Sequence, residues 1–249
     1  MRLAAWNIQS GGGSRIPGIA TVLAEVGAEV CVLSEYTNAR SDALTDALAN
    51  VGLPHTLHTD PEARWGGVFV ASRTPIRLGD VGDCPSPDRW LHVVGDDLPV
   101  EIGAAYIPNA ERSKTEKTEY WDWLLGVGDK VLSRDVLITG DFNTGLHRID
   151  EEGATFVCAD RMARIPAGGW TDGWRLHHGD ARESTWWSHR GNGFRLDHAL
   201  LSPSARARCS GAEYLTSVGD RCIVHPQRRH DGCDLKPLSD HAMLVVEVV

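Results

Sequence analysis

Short apolar runs, each closed by a polar side chain able to carry chemistry, recur from one end of the chain to the other, and no other feature constrains the fold as strongly. Leu3-Ala4-Ala5-Trp6 leads into Asn7, Val32-Leu33-Ser34 into Glu35, and Val136 to Gly140 into Asp141 and Asn143. Asp240 and His241 precede Ala242-Met243-Leu244-Val245, and Asp197 interrupts the otherwise apolar stretch from Phe194 to Leu201. Runs this short predict buried strands. Side chains at strand ends are held rigidly at a sheet edge, where a cleft can form.

Between the strands predicted at Leu3–Asn7 and Glu29–Leu33, residues Ile16, Ile19, Ala20, Leu23 and Val26 recur at helical spacing. The chain therefore opens β-α-β, and the fold class is α/β. A second helix carries Leu44, Ala47, Leu48 and Val51, with Gly52 as its stop. Strands follow at Gly67–Ala71, Leu91–Val94 and Val100–Tyr106. The longest helix runs from about Ser113 to Leu132, with Trp121, Leu124 and Leu125 on one face, and leads into a strand at Val136–Thr139. Thr185–Trp187, Phe194–Leu201, Ala212–Thr216 and Ala242–Val249 complete the strand set. No repeat, low-complexity tract or Pro-rich linker marks a boundary, so residues 1–249 are expected to form a single domain.

Composition fixes the broad class. Hydrophobic residues at 42% and charged residues at 24% are the mix of a globular domain with a sizeable core. No apolar run approaches the ~18 residues of a membrane span, and no apolar leader follows Met1 and Arg2, so the expected location is cytoplasmic. Six scattered cysteines do not suggest a disulfide scaffold. A net charge of −9 excludes a binder whose whole surface is basic.

Taken singly, an Asp or Asn after a strand is a turn former or helix cap. A carboxylate inside a strand, as at Asp197, must be paired or functional. Together these oxygen donors are hard ligands, suited to Mg²⁺, with Mn²⁺ as the alternative, better than to zinc. His241 oriented by a carboxylate adds a hydrogen-bond donor for an anionic substrate. Hard metal, acidic base and cationic His suit phosphate-ester hydrolysis.

Trp6-Asn7-Ile8-Gln9, Leu33-Ser34-Glu35, Tyr106-Ile107-Pro108-Asn109, Gly140-Asp141-Phe142-Asn143, Arg195-Leu196-Asp197-His198 and Ser239-Asp240-His241 resemble the ordered motif set of the endonuclease/exonuclease/phosphatase superfamily. The resemblance implies a four-layer α/β sandwich, with two mixed β-sheets packed face to face, helices outside, and a metal-dependent phosphodiesterase or phosphatase site at one edge. It implies that Glu35 is the principal Mg²⁺ ligand, with Asn7 beside it and Asp240 near the metal. Asp141, helped by Asn143, aligns or deprotonates the attacking water. His241, oriented by Asp197, contacts the scissile phosphate, and Tyr106 and Asn109 line the phosphate side of the cleft.

Two segments are similar to the exonuclease III type of abasic-site endonuclease: Ala105 to Arg112 with the following Tyr120-Trp121, and Thr185 to Asp197. In that branch an aromatic residue and two apolar neighbours receive an extruded sugar lacking its base. By position these are Trp186, Phe194 and Leu196, whose bland alternative is core packing. Arg112, His189 and Arg190 fall where loops grip the duplex, or are solvated surface. Gln9 departs from the Asn or Asp of that branch, and Gly219 to Leu238 is a longer connection. Its Cys222, His225, His230 and Cys233 have a C-x2-H…H-x2-C spacing that zinc could bind tetrahedrally, but the spacing between the halves is short and a loop with an incidental thiol pair is the better reading.

Residues 182–230 hold eight Arg and no Lys against Glu183, Asp197, Glu213 and Asp220, a local +4 that leaves −13 elsewhere. Such a basic rim binds DNA weakly and salt-sensitively. The expected function is a Mg²⁺-dependent DNA-repair phosphodiesterase, a monomer without a membrane partner, acting on duplex DNA at an abasic site or 3′ end. The alternative keeps fold and metal but takes RNA or a small phosphoester, which the acidic charge favours. A catalytically dead binding module is set aside, since each catalytic position holds a competent residue.

Overall fold

Alternation inside the apolar runs decides which way each side chain faces. In a computed structural model, which describes residues 1–62, 66–224 and 236–249, Leu3 and Ala5 of strand β1 (Arg2–Asn7) enter one core and Ala4 and Trp6 another. Val30 and Val32 of β2 (Val30–Tyr36) likewise part from Cys31 and Leu33. Strands buried on both faces need a layer on each side.

Strands β3 (His55–His58) and β4 (Gly67–Ser72) extend the first sheet. Its far side is built by β13 (Cys209–Leu215) and β16 (Met243–Val248), giving the order β13-β16-β1-β2-β4-β3. The second sheet takes β5 (Arg77–Leu78), β6 (Trp90–Val94), β7 (Glu101–Tyr106), β8 (Val136–Asp141), β9 (Thr171–Asp172) and β12 (Asp197–Leu201), in the order β5-β6-β7-β8-β12-β9. Each sheet is mixed: β1 with β2 and β7 with β8 are parallel, and the other pairings antiparallel. A hairpin of β10 (Trp186–Trp187) and β11 (Gly193–Phe194) and another of β14 (Ser217–Val218) and β15 (Arg221–Cys222) stand apart.

Inner-face residues such as Val32, Val70, Ile102, Leu137 and Ala199 form the central core between the sheets. Helices α1 (Ile16–Val26) and α2 (Ser41–Ala49) pack outside the first sheet through Ile19, Leu23, Leu44 and Leu48. Helix α3 (Lys114–Val131) covers the second through Tyr120, Trp121, Leu124 and Val127. The expected four-layer sandwich is the observed fold. Its parallel strands end together, so β1, β2, β7 and β8 bring their C-terminal residues to one rim.

Helix α3 begins and ends where the sequence places it. Ser113 is its N-cap, the hydroxyl accepting from the Glu116 N–H at 3.1 Å, and Leu132 its C-cap. Leu125 lies on the flank of the buried stripe, which instead includes Lys117. The stretch Phe194–Leu201 is not one strand: Phe194 pairs with Trp186 in the hairpin, while Asp197 starts β12. Arg195 between them turns its guanidinium into the protein. Strands β3, β5 and β9 and helices α4 (Ala159–Met162), α5 (Gly173–His178) and α6 (Pro203–Arg208) carry no apolar run that announces them. Of the proposed thiol and imidazole group, His225, His230 and Cys233 lie outside the described residues. Cys222 is buried, with its thiol toward the Val224 carbonyl at 3.5 Å. Cys31, Cys84, Cys158 and Cys209 are free thiols. Among the described residues, no helix is long and apolar enough to cross a membrane.

Candidate active site

Strand register assembles the site. Asp141, last in β8, stands opposite Asp197, first in β12, and beside Tyr106, last in β7. Two carboxylates directly opposite each other repel. What holds them is His241, whose Nδ1 lies 2.9 Å from Asp197 Oδ2 and which stands two residues before β16 of the first sheet. Ligating atoms of Asp141, Asp197 and His241 all lie within 4.8 Å of one another, and all three residues are buried.

Hydrogen bonds fix each group. Asp141 Oδ1 accepts from the Asn143 N–H at 2.8 Å, and Oδ2 from the side-chain amides of Asn7 at 3.0 Å and Asn143 at 3.2 Å. Asn143 Nδ2 also donates to the Ile107 carbonyl at 3.0 Å. Asn7 Nδ2 reaches Glu35 Oε1 at 3.2 Å, and its Oδ1 accepts from the Gln9 N–H at 2.9 Å. Glu35 Oε2 accepts from the Ser10 N–H at 2.7 Å, and the Tyr106 hydroxyl approaches Oε1 at 3.5 Å. On the other side, the Ser239 hydroxyl donates to the Asn7 carbonyl at 2.5 Å and accepts from the His241 N–H at 3.1 Å, while the Trp6 indole donates to the His241 carbonyl at 3.0 Å.

Backbone strain gathers here. Gln9, Ser10, Glu35 and Asn143 have φ of 50°, 53°, 62° and 47°, a left-handed conformation that costs roughly 1–3 kcal/mol each for residues with a Cβ. Glu35 sits at an irregularity where β2 slips register between Ser34 and Tyr36, which turns its carboxylate to the rim. Gly66 permits that turn, since a Cβ there would lie 2.7 Å from the Glu35 Cα. Gly140, at φ 137°, passes so close to Ala105 that a Cβ would meet its carbonyl oxygen at 2.0 Å.

The electrostatics follow from burial and charge. Burial pushes the Asp141 carboxyl up to about 7, with Asp197 adding to the rise and His241 opposing it. For His241, burial works against the imidazolium, but Asp197 and Asp141 outweigh it and raise the group to about 10. The site thus holds a weakly acidic carboxyl beside a lasting cation. Burial drives the Tyr106 phenol well above its ordinary range, as do Glu35 and Asp141, so it stays a neutral donor.

The carboxylates fit a hard divalent cation: Glu35 presents its carboxylate, held by the Asn7 amide N–H, and Asp197 Oδ1 and Asp240 Oδ1 are buried carboxylate oxygens that no protein group satisfies. Asp240 is held through its other oxygen by the Trp186 indole N–H at 3.2 Å. Trp186 and Phe194 are half-buried, with ring centroids 5.7 Å apart, and Leu196 is buried next in sequence to Asp197.

The outer residues are less closely gathered. Asn109 is exposed, its Oδ1 accepting from the Glu111 N–H at 3.0 Å. Arg112 reaches Glu116 at 3.5 Å, and His189 and Arg190 are exposed on the loop joining β10 and β11. Arg195 does not belong to a basic rim. Fully buried, its guanidinium pairs with Asp150 at 2.7 Å and Asp172 at 2.6 Å, so one of the eight Arg counted for that rim is spent on the interior.

Three neighbours of the site carry no obvious sequence signal as functional groups. Buried Lys117 donates from Nζ to the Asn143 carbonyl; burial lowers it to about 8, with Asp141 opposing the fall. A Lys in the apolar stripe of α3 was the one visible hint. The buried Arg89 guanidinium stacks over Tyr106 at 4.4 Å. Arg15 donates to the carbonyls of Gln9, Gly12 and Leu238, tying the β1–α1 loop to the segment that carries Asp240.

The family model for the endonuclease/exonuclease/phosphatase family matches residues 4–241. The chain belongs to that family. As a family member it is a phosphoric ester hydrolase, and the buried carboxylate cluster at this rim fits the metal dependence of the family. Solved structures share the family fold. They include a 3′ phosphatase from Neisseria bound to a product DNA hairpin (20% identity, TM-score 0.78), a 3′-5′ exonuclease from Neisseria meningitidis (19%, 0.78) and an AP endonuclease from Archaeoglobus fulgidus (18%, 0.79). Each alignment covers 100% of this chain and 99% of the other. No curated protein matches the sequence.

Proposed function

We propose that the protein is a Mg²⁺-dependent DNA phosphodiesterase of repair, cleaving 5′ to an abasic site or removing 3′ nucleotides and blocking groups. The observation that carries this reading is the convergence of Asp141, Asp197 and His241 within 4.8 Å, beside a wall made by Trp186 and Phe194. An abasic nucleotide is already unstacked, so swinging its sugar against such a wall costs little. The DNA phosphatase, exonuclease and AP endonuclease that share the fold support the same substrate.

Glu35 and Asp240, with Asn7 beside them holding Glu35, would bind the Mg²⁺, which would supply positive charge against the phosphoryl oxygens. Asp141, clamped by Asn7 and Asn143, orients a water and takes its proton as the water attacks phosphorus in line; the opposite P–O bond breaks and its electron pair goes to the leaving oxygen, which takes up a proton from solvent. A carboxyl raised to about 7 is a far better base than an ordinary Asp. His241 points its free ring nitrogen at a phosphoryl oxygen and stays protonated because Asp197 holds the other. Tyr106 donates from its hydroxyl, and Asn109, Arg112, His189 and Arg190 border the strand path.

The net charge of −9, with Arg195 withdrawn to the interior, favours a second reading: hydrolysis of RNA or a small phosphoester by the same residues. A substrate panel separates the two. With Mg²⁺, kcat/KM for a duplex carrying a tetrahydrofuran abasic mimic or a 3′-phosphate should exceed that for a small phosphodiester by orders of magnitude. The reverse ranking rejects the DNA assignment.

A further inference from the structure

Trp186 touches two features that a pocket wall need not connect. Its ring packs against Phe194, while the edge of the same ring donates its N–H to Asp240 Oδ2 at 3.2 Å. The backbone reinforces the pairing: Trp186 forms an isolated antiparallel bridge with His241, and the Ala242 N–H donates to the Thr185 carbonyl at 2.8 Å. The indole is thus carried by the segment that delivers His241, and its position relative to Asp240 is set by main-chain register.

Among the described residues, the Trp186 N–H is the one hydrogen-bond donor to the Asp240 carboxylate. Its Oδ1 is buried without a protein partner, and Arg15, the cation that faces it, spends its guanidinium on the carbonyls of Gln9, Gly12 and Leu238. A carboxylate that is to meet a cation needs one oxygen held and the other open. The Trp186 N–H does the holding.

We infer that Trp186 is a positioning residue for Asp240: the ring face walls the substrate pocket, and the ring N–H presets the Asp240 carboxylate for the divalent cation. Phe at this position keeps the wall and loses the preset. The inference rests on the cation reading under Proposed function and adds to it a link from substrate wall to cation site.

The test uses Mn²⁺ alone as the cation probe, with free Mn²⁺ followed by electron paramagnetic resonance, on wild type, Trp186→Phe, Asp240→Asn and the double variant. A tetrahydrofuran duplex is bound separately in EDTA, where no cleavage occurs. Trp186→Phe should weaken Mn²⁺ binding on the order of 10-fold, the scale of a lost hydrogen bond to a charged group, yet hold the duplex within about 3-fold. Since the effect runs through Asp240, the double variant should bind Mn²⁺ no more weakly than Asp240→Asn alone. Equal Mn²⁺ affinity in wild type and Trp186→Phe, or additive losses in the double variant, overturns the inference and leaves the cation reading standing. Wild-type protein that binds no Mn²⁺ overturns both. Should Trp186→Phe not fold, Asp240→Asn carries the test: retention of full Mn²⁺ affinity there removes the residue through which Trp186 is said to act.

Discussion

Replacing Arg195 by Met tests whether the buried ion network behind the site is held by charge. The guanidinium is fully buried and joined to Asp150 at 2.7 Å and Asp172 at 2.6 Å, with the Tyr214 hydroxyl at 3.3 Å. Asp150 keeps Arg175 at 2.5 Å in the variant, but Asp172 loses its guanidinium and keeps the neutral Arg175 backbone N–H at 3.1 Å and His198 at 3.7 Å. Stranding a buried charge in this way costs about 3–5 kcal/mol. At roughly 2–4 °C per kcal/mol for a chain of this size, the midpoint should fall by roughly 6–20 °C. The pH dependence identifies the cause. Burial pushes Asp172 up, yet Arg195 and His198 hold it far below the usual carboxylate range. In the wild type its contribution is therefore fully present above the unfolded value of about 3.9 and is lost only as pH falls below it. In Arg195→Met the stranded carboxyl rises and takes up a proton under mild acid. The stability gap to wild type should then narrow by at least about 1 kcal/mol between pH 8 and pH 5, measured by urea unfolding followed through Trp fluorescence. A loss below about 1 kcal/mol, or a gap that does not change with pH, refutes the charge argument.

Asp141→Asn should abolish hydrolysis, by roughly 10³-fold or more, without lowering the melting midpoint, because the change relieves repulsion against Asp197. Full activity in that variant sinks the proposed mechanism. Lys117→Met removes the donor that pins the Asn143 carbonyl and should lower kcat about 10-fold with KM nearly unchanged; an unaltered kcat in steady-state assays dismisses that role. Chelation by EDTA should reduce turnover to background, and added Mg²⁺ should restore it. Activity that persists through exhaustive chelation contradicts the assigned roles of Glu35, Asn7 and Asp240.

Apolar runs were enough to read an α/β chain and the polar residues that close its strands, while the four layers and the roles of the inner-site residues came with the family resemblance. Asn7, Glu35, Asp141 and His241 could be found since each lies at or beside the end of a buried run, and the structure brings them together. Arg195 misled for a physical reason. Counting charge along the chain does not tell whether a guanidinium faces water or finds Asp150 and Asp172, which are 45 and 23 residues away. Arg89 and Arg15 were invisible for the same cause, their partners being an aromatic face and main-chain carbonyls brought near only by folding. The Trp186 contact with Asp240 spans 54 residues and comes about through main-chain pairing that folding alone creates, the bridge between Trp186 and His241 and the Ala242 N–H to the Thr185 carbonyl.

The most direct measurement is incision of a 5′-labelled duplex with one tetrahydrofuran abasic mimic, run with Mg²⁺ on the wild type beside Asp141→Asn purified in the same way. The expected result is a nick immediately 5′ to the mimic with wild type alone. A duplex left intact by wild type, or nicked equally by the variant, would contradict a DNA phosphodiesterase built on Asp141, Asp197 and His241.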